Sequence, residues 1–220
     1  MFDILKPVRQ EKALKPCLKT DTMPDSFSPS PDTTVVEARW TEALDASRKN
    51  DSVAALAGFA QVSTWRPTAV EPHLMMGAEL AQMGQVAEAQ AAYARALLLK
   101  PDLSIARYQL GLLQYLAGQL AMALLTWQPL MAADADSYLN LFVKGFALLS
   151  DDRFQDAAAM FEAGMHANGE NSPLNADIAL LLSRLPATVS DKGHEQPATQ
   201  ATVEIAHVLL AGYRHSGSIN

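Results

Sequence analysis

Five histidines, one cysteine and two close pairs of aspartates are the side chains in this 220-residue sequence best suited to proton transfer, nucleophilic attack or metal binding. A metal site would need ligands converging at helical or loop spacing. His73, His166, His194, His207 and His215 form no HExxH pair, and none joins a cysteine at ligand spacing. His207 and His215 can share a helix face, but two turns is too far for both to bind one ion. Cys17 is the sole cysteine, so it has no intramolecular disulfide partner and reads as an incidental thiol. Asp134 with Asp136, and Asp151 with Asp152, could serve as acid/base or metal pairs. Their position at turns reads instead as capping, because a short carboxylate accepts from the free amides of the following helix. GxSxG, P-loop and GxGxxG signatures are absent. The expectation is therefore a protein that is not an enzyme, with no catalytic residue, metal site or cofactor.

The elements that carry these residues repeat. Val70 to Leu103 reads as one helical hairpin: Gly77 and Ala89 are small where two helices cross, Gly84 sits at the turn, Tyr93 is bulky, and Pro101 follows the last apolar run. In steps of 34 residues, Gly77 maps onto Ala43, Gly111 and Gly145, and Ala89 onto Ala55, Ala123 and Ala157. Tyr93 maps in the same way onto Phe59, Trp127 and Phe161, and the turn position reads Asn50, Gly84, Gly118 and Asp152. Asparagine, aspartate and glycine are the residues that tolerate a left-handed backbone or cap the next helix. Pro67 ends the first hairpin as Pro101 ends the second. Pro129 falls inside the second helix of the third unit, which predicts a kink or early end near Trp127.

This pattern resembles the tetratricopeptide repeat, a degenerate helical hairpin of about 34 residues. The resemblance implies an all-α fold, a right-handed α-solenoid of four hairpins plus a capping helix, with flexible tails. The domain would span 35–185, with repeats near 36–69, 70–103, 104–137 and 138–171 and a capping helix at 173–185 that starts with Pro173 in its first turn. In that family the second, fifth, ninth and twelfth places of each unit face a concave groove. Carried onto this chain, the rule selects Trp40, Leu44, Leu74, Ile105, Tyr108, Leu112, Tyr115, Phe142, Phe146 and Leu149 as a peptide-binding groove, together with Glu37, Ser47, Glu71, Ala78, Ala81 and Leu139. An open row of Trp40, Tyr108, Tyr115, Phe142 and Phe146 would mark an interaction surface. The places that clamp the acidic tails of heat-shock chaperones in some relatives hold Trp40, Leu74, Tyr108 and Phe142, then Leu44, Ala78, Leu112 and Phe146, none of them a cation.

Outside the repeats, residues 1–34 read as a disordered N-terminal tail. Within 1–19, five cations, Lys6, Arg9, Lys12, Lys15 and Lys19, stand against Asp3 and Glu11, and a Ser, Pro and Asp rich linker follows. Residues 186–200 read as a second linker and 201–214 as a C-terminal amphipathic helix with Val203, Ile205, Val208, Leu209 and Leu210 on its apolar side. A formal net charge of −7 disfavours nucleic acid as a partner. The N-terminus lacks the uninterrupted apolar stretch of a secretory signal, and no apolar run reads as an integral membrane segment, so a cytoplasmic location is expected. The functional expectation is a protein-protein interaction module, an adaptor or scaffold holding an apolar protein or peptide segment in its groove. Two alternatives stand beside it. The chain resembles class II chaperones of type III secretion, which hold a secreted translocator in such a groove. Its own C-terminal helix could also fill the groove, or a homodimer could.

Overall fold

The computed structural model describes residues 32–185. The expected N-terminal tail, the second linker, the C-terminal helix, Cys17, His194, His207 and His215 lie outside them. The described residues form nine helices and no strand: α1 (Thr33–Arg48), α2 (Ser52–Trp65), α3 (Glu71–Gln82), α4 (Val86–Leu99), α5 (Ser104–Leu116), α6 (Leu120–Met131), α7 (Tyr138–Ser150), α8 (Phe154–Ala167) and α9 (Ser172–Leu182). Each helix packs on its successor, first within hairpins α1–α2, α3–α4, α5–α6 and α7–α8, then between them. The product is an all-α solenoid of four hairpins closed by α9. The second helices begin at Ser52, Val86, Leu120 and Phe154, 34 residues apart. α1 begins at Thr33, so two threonines assigned by composition to the linker belong to the first hairpin.

The turns explain the register. Asn50, Gly84, Gly118 and Asp152 all take left-handed backbones, with φ of 57°, 75°, 74° and 57°. At each, the residue after the turn reaches back to close the helix: Gln85 N–H donates to Leu80 O at 2.9 Å and Gly84 N–H to Ala81 O at 3.0 Å. The other three turns repeat this pair of bonds, the Schellman arrangement that satisfies carbonyls orphaned at a helix end. Asp51 caps α2, its carboxylate accepting from Ala54 N–H at 3.1 Å. The aspartates expected to cap α8 do something else: Asp152 supplies the left-handed turn and Asp151 ends α7, while the N-cap of α8 is Arg153, which makes no side-chain cap bond. Asp134 accepts from Asp136 N–H at 3.2 Å, which ties the turn rather than caps α7.

The small residues work differently from the expected close crossing of backbones. Gly77, Gly111 and Gly145 each lie under an aromatic ring of the partner helix, from Tyr93, Trp127 and Phe161 respectively. Only the first hairpin uses a small pair: Ala43 on α1 faces Gly58 on α2, where an added Cβ would come within 2.6 Å of the alanine methyl. Ala55, Ala89, Ala123 and Ala157 are all completely buried one turn before the ring. Burying each large ring contributes about 1.5–3 kcal/mol, and the glycine keeps that contribution free of strain.

Pro129 does not end α6 near Trp127; the helix runs on to Met131. Proline removes a single N–H donor, and here its ring faces solvent, while the last turn is held from the next hairpin. The buried Asn140 side chain on α7 donates to Leu130 O at 2.9 Å and Met131 O at 3.1 Å, so α6's final carbonyls have partners. An asparagine set does the same before α9: Asn175 Nδ2 donates to Asn168 O at 3.1 Å and Asn171 Oδ1 accepts from Leu174 N–H at 3.2 Å.

Candidate peptide-binding groove

The ten residues nominated for the groove divide into two groups. Trp40, Leu44, Leu74 and Ile105 keep part of their surface open to solvent. Tyr108, Phe142 and Phe146 are completely buried, and Leu112, Tyr115 and Leu149 nearly so. The expected open row of aromatics is therefore corrected for four of its five members, which form the largest core of the solenoid. Tyr108 lies between Trp127 and Phe142, with ring centroids at 6.4 and 6.3 Å. Tyr115 touches Trp127 and Phe146 at 6.0 and 5.3 Å, and Phe146 meets Phe161 edge-on at 5.0 Å. The physical reason is size. In units three and four, rings at the fifth, ninth or twelfth places meet the large ring of the helix behind, and together they fill the space between hairpins.

This packing leaves polar atoms inside. Trp127 Nε1–H donates to Tyr108 O at 3.0 Å, whereas the hydroxyls of Tyr108 and Tyr115 are buried without a hydrogen-bond partner. Burial pushes the Tyr115 hydroxyl up to about 12, helped by Asp152, and raises Tyr108 further, helped by Asp177 and Tyr138. Asp177 on α9 is itself pushed up to about 6 by burial.

The first two units are different, because their fifth, ninth and twelfth places hold one indole and small or aliphatic side chains. Trp40 leans on the buried ring of Phe59, centroids 5.2 Å apart and planes at 57°. Beside it opens a pocket of about 270 Å³ between α1, the end of α2 and the start of α3. Its walls are Val36, Val62, Ala69 and Pro72, and Trp40, Glu37, Arg66 and Glu71 complete the lining. Glu37, Arg66 and Glu71 are exposed. Further along α3, Glu79 is buried and accepts from the Ser47 hydroxyl of α1, with its second oxygen unpartnered. The family rule thus pointed to the pocket through Glu37, Trp40 and Glu71, but Arg66 and Ala69 come from the inter-hairpin loop, which no periodic rule nominates.

Among the described residues no group of three or more histidine, cysteine or acidic side chains is placed to hold a metal ion. His73 is half-buried on α3, its imidazole pushed down by burial and by Arg95, and His166 is exposed in the last turn of α8. No described helix is long and apolar enough to cross a membrane.

No family model matches the chain, and no curated protein matches it. Solved structures similar in fold include MamA from residue 41 to its end, from Desulfovibrio magneticus RS-1, and a MamA RS-1 double mutant designated ArsTM. Each superposes with a TM-score of 0.56 at 17% identity, covering 81% of this chain and 96% of the MamA chain. At that identity the likeness is one of fold, the tetratricopeptide-like helical solenoid.

Proposed function

We propose that this protein is a non-enzymatic interaction scaffold that binds a polypeptide segment at the N-terminal end of its concave face. The reading is carried by one contrast. Units three and four bury their concave rings, whereas the first unit leaves Trp40 beside a pocket of about 270 Å³. A solenoid of stacked hairpins buries its apolar faces against neighbours, so a part-open aromatic with apolar walls is where a partner gains most from excluding water. Trp40, Leu44, Leu74 and Ile105 remain from the original set as the apolar part of this surface.

The test is capture of partners from a lysate by the full chain, compared with Trp40→Asp and Leu74→Asp, each checked for helical content. Loss of the same captured proteins in both variants, with the fold intact, is the expected result. Equal recovery by all three proteins would remove this surface from consideration.

A further inference from the structure

The pocket at the first hairpin has a charge pattern that narrows what it can take. Glu37 and Glu71 hold the second place of successive units, so the repeat itself brings two carboxylates to the lining of one opening, which Trp40 shares. Arg66, at the C-cap of α2, is the sole cation in the lining, which leaves the pocket with one excess negative charge. None of the ion pairs among the described residues, Arg39–Glu42, Arg48–Asp45 and Arg153–Asp156, involves these three side chains. The volume, about 270 Å³, lies just below the range of roughly 300–1,000 Å³ usual for small-molecule sites, so it suits a single side chain better than a cofactor.

We infer that this pocket receives a lysine or arginine side chain of the bound polypeptide, its alkyl stem along Val36, Val62 and Trp40 and its cationic head between Glu37 and Glu71. The inference rests on the proposed peptide-binding role of this face. A purely apolar side chain entering here would strip water from two carboxylates and return nothing to them. A cation replaces that water with charge-assisted bonds and also meets the indole face, where a positive charge is attracted to the ring. An anionic side chain would meet Arg66 but be opposed by both glutamates. Long cationic side chains suit a pocket with this division because they place stem and head in different surroundings.

The experiment follows the Trp40 indole N–H resonance in the full-length protein, assigned with Trp40→Phe. Three capped pentapeptides, Ala-Leu-Xaa-Leu-Ala with lysine, norleucine or glutamate in the centre, are titrated in. The lysine peptide is expected to shift the resonance saturably and to bind about tenfold more tightly than the norleucine peptide, equivalent to one charge-assisted bond. That preference should disappear in the Glu37→Gln, Glu71→Gln double variant and shrink with added salt, since both carboxylates are exposed. Equal binding of lysine and norleucine peptides would overturn the cation while leaving the groove standing. Tightest binding of the glutamate peptide would overturn it in favour of Arg66 as the anchor. If no peptide moves the Trp40 resonance, the pocket is not the seat of a peptide side chain, whatever the capture experiment returns.

Discussion

Gly111 on α5 lies directly beneath the indole of Trp127 on α6: a Cβ added at Gly111 would stand 2.2 Å from Nε1. The same indole donates to Tyr108 O at 3.0 Å, so it cannot slide away without leaving a buried donor unpaired. Gly111→Ala is therefore expected to cost about 1–3 kcal/mol through overpacking. Pairing it with Trp127→Leu should recover part of that loss relative to the sum of the single variants. Thermal melts followed by circular dichroism measure this, and additive losses would mean the two residues are not in conflict.

At the turns, the same reasoning predicts a contrast between two positions with similar backbones. Gly118 has φ +74° and open space around a would-be Cβ, so Gly118→Ala should cost about 1–2 kcal/mol from the left-handed conformation alone. Asn50 is already a side-chain-bearing residue at φ 57°, and Asn50→Gly should change stability by less than about 0.5 kcal/mol. Urea unfolding of both variants checks this; equal losses would place the cost elsewhere.

Charge introduced in the third and fourth units should act on folding rather than on binding. Tyr108 and Phe142 are completely buried, and an unpaired carboxylate in either place has no partner in the ring cluster. Tyr108→Asp and Phe142→Asp are expected to lose more than about 3 kcal/mol and much of their cooperative melting, whereas Trp40→Asp should cost far less. Normal melting of Tyr108→Asp would contradict the buried assignment.

Asp177 gives the solenoid a defined pH dependence. Its carboxyl moves from the ordinary 3.8 to about 6 on folding, because burial favours the neutral form. Below 3.8 both folded and unfolded chains hold the proton; between 3.8 and about 6 the unfolded chain releases it first, so stability falls as pH rises through that window. Above it the penalty is constant. Asp177→Asn should then be more stable than the parent by roughly 1–2 kcal/mol at pH 7, allowing for screening of a partly exposed group, and equal to it near pH 3.5. Chemical unfolding at the two pH values measures the difference; an identical gain at both would assign it to something other than ionisation.

Much of the fold was legible because a repeat states its own geometry. Spacing of 34 residues placed every second helix, and the turn residues Asn50, Gly84, Gly118 and Asp152 announced left-handed backbones that the structure contains. The pairing of Gly77, Gly111 and Gly145 with rings was partly legible: small and large positions were marked, but not that one lies on the other. Asn140 was not flagged, since a buried amide that closes the preceding helix has no periodic signature.

The candidate site divided differently. The sequence by itself determined which side chains occupy the fifth, ninth and twelfth places, because helical periodicity sets direction along each helix. Whether those side chains meet solvent or a neighbour was decided only by stacking. In units three and four the rings of Tyr108 and Tyr115 meet Trp127 within one hairpin and Phe142 and Phe146 of the next, whose own partner is Phe161, and together they close the space. In the first two units the matching places hold a single ring, Trp40, with Leu44, Ser47, Leu74, Ala78 and Ala81, and Trp40 stays part-open beside a pocket whose lining the loop residue Arg66 completes. Burial depends on volumes summed across several helices, and no one stretch of chain contains that sum.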